Sequence, residues 1–258
     1  MTSITSKFDL KGKVAIVTGS SKGIGKSIAR GLAENGARVV VSSRKQEAVD
    51  AVAGEFMDAG LEATGIQCHV GDHRQRKALI EETLARYGQI DVLVNNAAIN
   101  PYYGPLEGSE ETVFDKIMDV NVKAPWMLSS LVLPHMKKQG GGSIINISSV
   151  EGVRPGFGLG LYSATKAALI MLTKNQAKEW GRHGVRANVI CPGLVKTKFS
   201  QGLWSDENLI QHLKKALPLG RVAHPDEMAG VVMLLASDAG SYMTGGVYTA
   251  DGGYLVSG

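Results

Sequence analysis

With 258 residues, of which 44% are hydrophobic and 20% charged, the chain can form one large α/β domain or two small ones. Its net charge of +4 comes from dispersed lysines and arginines, and its six histidines lack metal-ligand spacing, so neither nucleic-acid binding nor a metal site is indicated. Two cysteines exclude a disulfide framework, and without an apolar leader or a bilayer-length apolar run we expect a cytoplasmic protein that does not bind membranes.

The first predicted unit is a buried strand, a glycine-rich turn and a helix. Residues 13–18 form a β-branched run, and Gly19-Ser-Ser-Lys-Gly-Ile-Gly25 leads from it into a helical pattern that ends at Gly36. A glycine turn at a helix N-terminus is a setting for a dinucleotide pyrophosphate. Gly19 would permit the tight turn, Gly23 the approach of the phosphates, and Gly25 close packing of helix and strand. A plain βα turn is the alternative interpretation.

The second predicted strand, at 37–44, bears on the choice of cofactor. When NAD is bound, an acidic residue about 20 positions after the glycine motif holds the ribose. Ser43 stands at that position, Arg44 follows it, and Lys22 lies in the glycine loop. Two cations and a hydroxyl suit the 2′-phosphate of NADP(H), and no carboxylate is there to repel it. We therefore expect NADP(H) in preference to NAD(H). The alternative, that Lys22 and Arg44 are only solvated surface cations, would leave the missing acid unexplained.

The alternation of strands and helices continues without a domain break. Further strands are predicted at 62–70, 90–95, 143–148, 185–191 and 247–250. Further helices are predicted at 46–60, at 74–87, at 110–136 with interruptions near Pro125 and Pro134, from Tyr162 onward, and at 224–235. Alternation of this kind predicts one domain over 1–258 with a Rossmann-type, doubly wound α/β architecture: a mostly parallel, seven-stranded sheet with helices on both faces.

The stretch 149–166 carries residue types suited to acid–base chemistry. The fifth strand delivers Ser149 at its end, and Tyr162 and Lys166 are four residues apart on one helix face. A phenol with a pKa of about 10 is a poor acid–base group at neutral pH, but a nearby ammonium lowers that pKa. A serine hydroxyl can hydrogen-bond the oxygen on which charge changes. A Tyr and a Lys on an ordinary helix surface are the alternative, since this spacing often occurs by chance.

Several motifs, in this order, resemble those of the short-chain dehydrogenase/reductase family over essentially the whole chain. They are 18–25 (TGSSKGIG), 95–98 (NNAA), Asn121 within DVNV, the set Ser149, Tyr162 and Lys166, 192–197 (PGLVKT) and 251–253 (DGG). The resemblance implies that the catalytic residues are Asn121, as a structural and proton-relay residue, with Ser149, Tyr162 and Lys166. It implies that the cofactor is held by Gly19, Ser21, Lys22, Gly23, Ile24, Gly25, Ser43, Arg44, Asn96, Ala97, Tyr162, Lys166, Pro192, Gly193, Val195 and Thr197.

Two positions depart from the family pattern. His69 stands where most members have an aspartate that contacts adenine, so the adenine contact would come from the backbone of Val70 or from His69 itself. Ala98 replaces the usual glycine of the Asn-Asn-Ala-Gly segment, which is a small steric change. The first departure touches cofactor affinity and leaves the type of reaction unchanged.

Within the family, the stretches VVVSSRKQ, CHVG, NVKAP and PGLVKTKFS resemble NADPH-dependent carbonyl and retinal reductases. This resemblance implies an oxidoreductase that transfers a hydride between NADP(H) and a small-molecule carbonyl or alcohol. It also implies a homotetramer that pairs through the helices at 110–136 and after Tyr162. A 3-oxoacyl-carrier-protein reductase, for which Arg154, Lys196 and Lys198 could grip an acidic carrier, stays open, as does a sugar or polyol dehydrogenase. The complete Asn-Ser-Tyr-Lys set argues against an NADP(H) sensor without catalysis.

Substrate choice is expected to lie in loops beyond the strand ends, at 100–103, at 151–161 and in a variable loop at about 195–215. These loops contain the large aromatic residues Tyr102, Tyr103, Phe157, Phe199 and Trp204. Their side chains either line an apolar pocket or pack against helices and neighbouring subunits. The sequence leaves both interpretations open.

Overall fold

Seven parallel strands form the central sheet of the computed structural model, which describes residues 3–204, 211, 214, 215 and 217–257. The strands are β1 Val14–Thr18, β2 Arg38–Ser43, β3 Ala63–Gln67, β4 Val92–Asn95, β5 Gly142–Ile147, β6 Val185–Pro192 and β7 Val247–Ala250. Their order in space is β3-β2-β1-β4-β5-β6-β7, so the winding reverses between β1 and β4. Ligands of such sheets bind in the crevice at this reversal, beyond the carboxyl ends of the strands.

Helices cover both faces of the sheet. They are α1 Gly23–Glu34, α2 Gln46–Asp58, α3 His73–Tyr87, α4 Glu111–Met118, α5 Ala124–Lys138, α6 Gly160–Trp180, α7 Gln201–Trp204 and α8 Ala229–Ala236. Along β1, Val17 packs into the apolar layer that contains Ile28 of α1, whereas Ile16 packs into the opposite layer with Leu128 of α5. Because both faces of β1 are buried, its sequence is a continuous apolar run, as expected for a parallel strand. The predicted Rossmann-type, doubly wound class is confirmed.

The region predicted as a helix at 110–136 divides at a different place. Helix α4 ends at Met118, a π-helical turn spans Asp119–Lys123, and α5 begins at Ala124. Pro125 therefore lies at the start of α5, directly after the π-helical turn. The interruption predicted near Pro125 is a change of helix type just before it, and π-helical turns of this kind often occur at functional sites.

The interruption predicted near Pro134 is wrong, because α5 continues through this residue. An interior proline costs a helix about 3 kcal/mol. Leu128, Val132 and Met136 of the same helix are almost fully buried, and each such side chain contributes roughly 1.5–3 kcal/mol on burial. Their packing outweighs the proline penalty, which a prediction from local sequence does not include.

Two further boundaries differ from the prediction. Strand β3 ends at Gln67 rather than at position 70, so His69 and Val70 lie in the loop that leads into α3. The helix predicted at 224–235 begins as a 3-10 turn at Pro225–Met228 and continues as α8. Among the described residues, no helix is both long and apolar enough to cross a membrane.

Candidate active site

The turn after β1 forms a cradle in which side chains have no room. Gly19 and Gly23 have φ angles of +65° and +58°, in the left-handed region that favours glycine. A Cβ on Gly25 would lie 2.5 Å from the carbonyl oxygen of Gly19, and a Cβ on Gly19 would lie 2.9 Å from the Cα of Ala97. Lys22, the N-cap of α1, gives no side-chain acceptor to the first-turn N–H groups. These donors suit an anion such as a pyrophosphate, so the cradle fits a dinucleotide.

The end of β4 holds this cradle in place. Oγ1 of Thr18 accepts hydrogen bonds from the N–H groups of Asn96 (3.0 Å) and Ala97 (3.1 Å). The Asn96 amide donates in return to the carbonyl oxygens of Thr18 (2.9 Å) and Gly19 (3.1 Å). Asn96 and Ala97, both predicted as cofactor contacts, thus shape the glycine turn itself. Sequence reasoning gave Thr18 no role, although a hydroxyl on the last residue of the strand before a glycine turn is a usable signal.

An open pocket of about 480 Å³ lies beyond the ends of β2 and β3. Its lining consists of Arg44, Gln67, His69, Gly71, Asp72 and Gln75. Nδ1 of His69 accepts the N–H of Gly71 at 3.2 Å, which leaves Nε2 as the ring's donor. The carboxylate of Asp72 caps the first turn of α3, and its backbone hydrogen bonds lower the pKa of Asp72. The structure brings Arg44 and His69 together here, whereas Lys22 and Ser43 are outside this lining.

Ser149, Tyr162 and Lys166 meet at the carboxyl end of β5. Oγ of Ser149 accepts the N–H of Glu151 at 3.1 Å, and the Ser149 hydroxyl lies near enough to the Tyr162 phenol to lower its pKa. Nζ of Lys166 lies 5.5 Å from the centre of the Tyr162 ring and donates to the carbonyl oxygen of Ile147 at 2.8 Å. Because Ser149 already accepts from a backbone N–H, its own hydrogen is available to donate. The three groups can therefore polarise and protonate one oxygen.

Burial has the largest effect on the pKa values of Tyr162 and Lys166. It raises the pKa of the Tyr162 phenol, and the nearby Ser149 hydroxyl only partly opposes that rise. Burial also lowers the pKa of Lys166 to about 8. The sequence-based expectation was a Tyr162 pKa lowered by the neighbouring ammonium. The structure differs because Lys166 is aimed at the Ile147 carbonyl and the loss of solvation around the phenol is the largest effect.

The loop after β5 packs closely on α6. A Cβ on Gly152 would lie 2.7 Å from the carbonyl carbon of Lys166, so a larger residue would push the loop away from the helix. Oγ of Ser148 donates to the Lys166 carbonyl oxygen at 2.8 Å. These contacts fix the distance between Ser149, on the loop, and Tyr162, on the helix. Neither Gly152 nor Ser148 was identified as a site residue from the sequence.

Asn121 lies in the π-helical turn and its side chain is fully engaged. Oδ1 accepts the N–H of Ile99 at 2.9 Å, and Nδ2 donates to the Ile99 carbonyl (2.9 Å) and to Oγ1 of Thr165 (3.1 Å). The amide thus ties the loop after β4 to α6, next to Lys166. The structural part of its predicted role has a clear basis in these bonds. A proton relay at Asn121 would have to use its main-chain atoms.

The segment after β6 reaches the cradle from the other side. Cγ2 of Thr197 lies 3.3 Å from where a Cβ on Gly23 would be, so Thr197 covers the glycine turn. Gly193 packs against Asp251, since a Cβ there would lie 2.7 Å from the Asp251 Cα. Val195 forms a parallel bridge with Ala223. Pro192, Gly193, Val195 and Thr197, all predicted as cofactor contacts, therefore belong to one segment that borders the cradle.

The aromatic residues of the three loops divide into different roles. The Phe199 and Tyr162 rings lie 6.2 Å apart between centres, and the Phe199 side chain is 58% exposed. Trp204 donates from Nε1 to the Thr197 carbonyl oxygen at 2.8 Å, which fastens α7 to the segment before it. Tyr102 folds onto its own loop by donating to the Pro105 carbonyl oxygen at 2.9 Å. Phe199 thus borders the candidate site, whereas Tyr102 and Trp204 stabilise loops.

Phe157 and Tyr103 are the other two aromatic residues of these loops. Phe157 is 87% exposed, and the Tyr103 ring packs on Gly158. Of the variable loop predicted at about 195–215, positions 205–210, 212 and 213 lie outside the described residues. Within the part of the chain that is described, no group of three or more His, Cys, Asp or Glu side chains is placed to hold a metal ion.

Comparisons with known proteins agree with this architecture. A family model described as enoyl-(acyl carrier protein) reductase matches residues 19–255. Dehydrogenase/reductase SDR family member 4 of Oryctolagus cuniculus is 44% identical over 250 residues, which cover 97% of this chain and 96% of the relative. Human dehydrogenase/reductase SDR family member 2, mitochondrial, is 41% identical over 95% of this chain and 87% of its own length. A gluconate 5-dehydrogenase from Burkholderia cenocepacia, crystallised with NADP and tartrate, matches with a TM-score of 0.94 and 38% identity, covering 97% of this chain and 98% of that one.

The chain belongs to the short-chain dehydrogenase/reductase family. The family identified from the sequence motifs is confirmed, because both the family model and the relatives span nearly the whole chain. The protein is therefore an oxidoreductase acting on CH–OH or C=O groups.

Proposed function

We propose that this oxidoreductase reduces ketones or aldehydes with NADPH and oxidises secondary alcohols in the reverse direction. The observation that carries the proposal is the meeting of Ser149, Tyr162 and Lys166 beside a glycine cradle that fits a pyrophosphate. A phenol kept protonated by burial suits a proton donor, which is what reduction of a carbonyl requires.

In reduction, the bound nicotinamide supplies the hydride to the carbonyl carbon. Ser149 donates its free hydroxyl hydrogen to the carbonyl oxygen and holds it next to the phenol. Tyr162 transfers its proton to the same oxygen, which becomes the alcohol. The Lys166 ammonium, protonated below about pH 8, stabilises the phenolate that is left. By resemblance to the family, Lys166 also binds the nicotinamide ribose.

The cofactor proposed is NADP(H). Arg44 and the Nε2 donor of His69 line the pocket beyond β2 and β3, where the adenine end of a dinucleotide on the cradle would lie. Within the described residues, the side chains of Arg44 and Lys22 form no salt bridge that a 2′-phosphate would have to break. The gluconate 5-dehydrogenase of the same architecture was crystallised with NADP, which supports this choice.

Two other substrates are weighed against simple carbonyls. A 3-oxoacyl carrier protein would need free cations near the site, but Arg154 lies 4.8 Å from the centre of the Tyr254 ring and Lys196 lies 5.1 Å from that of Trp204. These ring contacts make both cations less available to an acidic carrier. A sugar or polyol has support from the gluconate 5-dehydrogenase neighbour. Against it, Phe199 presents an apolar ring beside Tyr162.

The test is cofactor consumption by the purified protein with NADPH and NADH, side by side. The panel contains ketones, aldehydes, α-diketones, a 3-oxoacyl thioester and, with NADP⁺, a series of polyols. We expect turnover on simple ketones or aldehydes with NADPH. Turnover on the thioester alone, or on polyols alone, would replace the proposal by the corresponding alternative. Tight NADPH binding without turnover on any compound would leave two choices, a substrate outside the panel or a sensor.

Phe199 is expected to favour aromatic substrates. Replacing it by alanine removes the ring beside Tyr162, and burial of one such ring contributes roughly 1.5–3 kcal/mol. We therefore expect Phe199→Ala to lower kcat/KM for an aryl ketone about tenfold or more while changing that for a small aliphatic ketone about twofold at most. Phe157→Ala is the matched control, because its ring is 87% exposed. Equal losses on both ketones would show that Phe199 acts on the fold and not on substrate choice.

The proposed assembly is a homotetramer. Phe114 of α4, Trp126 of α5 and Met171 of α6 are 46%, 48% and 57% exposed, although side chains of this size are usually buried. They lie on the helices through which subunits were predicted to pair. Light scattering on the purified protein measures the mass of the assembly.

We also propose a cytoplasmic location, which the buried free thiols of Cys68 and Cys191 support. Imaging of the tagged full chain tests it, and mitochondrial signal would contradict it.

A further inference from the structure

Glu151 is a carboxylate in the candidate active site to which neither the sequence motifs nor the proposed reaction gives a role. It lies two residues after Ser149 and is partly buried. Its Oε2 accepts hydrogen bonds from the N–H of Gly156 at 2.6 Å and from the Oγ of Ser163 at 3.1 Å. Its own N–H donates to the Oγ of Ser149. One residue therefore contacts the loop, the helix and the serine of the catalytic set.

We propose that Glu151 is a positioning residue of the active site: its carboxylate ties the loop after Ser149 to the first turn of α6, directly beside Tyr162. This inference rests on the proposed function, since it concerns the same serine and tyrosine. The N-cap of α6, Leu159, makes no side-chain cap bond, and Glu151 contacts this first turn through the Ser163 hydroxyl. Gly156 has to be a glycine for the contact, because a Cβ there would lie 2.8 Å from both carboxylate oxygens.

The position of Glu151 has an electrostatic consequence that a purely structural contact would lack. In the described part of the chain, its carboxylate has no salt-bridge partner within 4.0 Å. Burial is the main cause of the raised pKa of Tyr162, and the negative charge of Glu151 raises this pKa further. Lys166 of α6 is the cation that faces the ring, and Arg154 on the Glu151 loop stacks on Tyr254 instead.

The sign of the effect on activity follows from the proton that Tyr162 carries. Reduction needs the protonated phenol, so its rate is lost as the pH rises through the Tyr162 pKa, and oxidation needs the phenolate, so its rate appears over the same range. Removing the charge of Glu151 lowers this pKa.

Three variants separate the contact from the charge. Glu151→Ala removes both, and we expect kcat/KM for the reduced carbonyl to fall about tenfold or more, mainly through kcat, because Ser149 and Tyr162 lose their common support. Glu151→Gln keeps an acceptor for the Gly156 N–H, and we expect a smaller loss, again mainly in kcat. Glu81→Gln, on the exposed surface of α3, is the control for a lost carboxylate and should leave kcat/KM unchanged.

A readout that needs no turnover keeps the two proposals apart. In Glu151→Ala, the Gly156 amide is expected to exchange with solvent at least about tenfold faster, because its hydrogen bond is gone. If the wild-type protein fails to turn over any carbonyl, the proposed function fails, and the exchange measurement still decides the role of Glu151. Unchanged exchange at Gly156 in Glu151→Ala, or a loss of kcat/KM in Glu151→Gln as large as that in Glu151→Ala, would overturn the inference.

Discussion

Tyr162→Phe should lower kcat for carbonyl reduction by about a hundredfold to ten-thousandfold while leaving NADPH affinity almost unchanged. The substitution removes the hydroxyl that donates the proton, and general acid catalysis by a positioned side chain is worth roughly 10²–10⁴ in rate. It keeps the ring that packs against Phe199 and that lies 5.5 Å from Nζ of Lys166, so the geometry of the site is retained. Steady-state kinetics gives kcat, and a fluorescence titration with NADPH gives the affinity.

The interpretation of that loss depends on the fold of the variant. Ser149 loses the phenol as a partner but still accepts the Glu151 N–H, so no strongly destabilising buried group is created. Tyr242→Phe is the matched control, because this side chain is fully exposed and the same single oxygen is removed. Near wild-type turnover in Tyr162→Phe would remove Tyr162 from the catalytic set, whatever the behaviour of Lys166 and Ser149.

Burial acts on Tyr162 and Lys166 in a way that prepares the site for reduction. It disfavours the charged form of both groups, so the phenol keeps its proton and the ammonium loses its own above about pH 8. At neutral pH the pair is then a protonated acid beside a cation, the arrangement that a proton donor needs. The lysine therefore matters most after the proton has left, when its charge stabilises the phenolate.

The parts of the site that follow from short-range sequence pattern were predictable. Tyr162 and Lys166 share a face because they are four residues apart in a helix, and Ser149 reaches them because it ends a neighbouring strand. The glycine spacing after β1 predicts a cradle because positive φ angles and close approach are local requirements. Parallel strands place their carboxyl ends at one edge, which gathers the residues of several loops there.

Other features depend on contacts between distant parts of the chain, and pattern alone does not reveal them. The Asn121 amide is held by Ile99 and Thr165, which are 22 and 44 residues away. Pro134 is tolerated in α5 because packing across the sheet outweighs it. The direction of the Tyr162 pKa shift reflects the solvent removed by all surrounding elements, so the neighbouring lysine in the sequence gave the wrong expectation.

Arg44→Asp should reverse the preference for the cofactor. We expect kcat/KM with NADPH to fall about a hundredfold or more, since a charge-assisted bond to phosphate is worth roughly 1.5–3 kcal/mol and the new carboxylate also repels the phosphate. The same carboxylate can accept hydrogen bonds from the ribose hydroxyls of NADH, so kcat/KM with NADH should stay the same or rise. The measurement is the ratio of the two kcat/KM values, together with calorimetric titration of adenosine 2′,5′-bisphosphate.

Lys45→Asp makes the same change of charge one residue further along and distinguishes a direct contact from a general field. Lys45 is exposed, and it is outside the lining of the pocket that contains Arg44 and His69. Charges at an exposed surface are screened over about 8 Å at physiological salt, so a field effect would weaken the binding of NADPH similarly in both variants and fade with added salt. If Arg44 contacts the 2′-phosphate, only Arg44→Asp reverses the ratio. Equal ratios of kcat/KM with NADPH and NADH in the two variants would show that Arg44 does not contact the 2′-phosphate. The absence of an acidic residue at position 43 would then not indicate which cofactor is used.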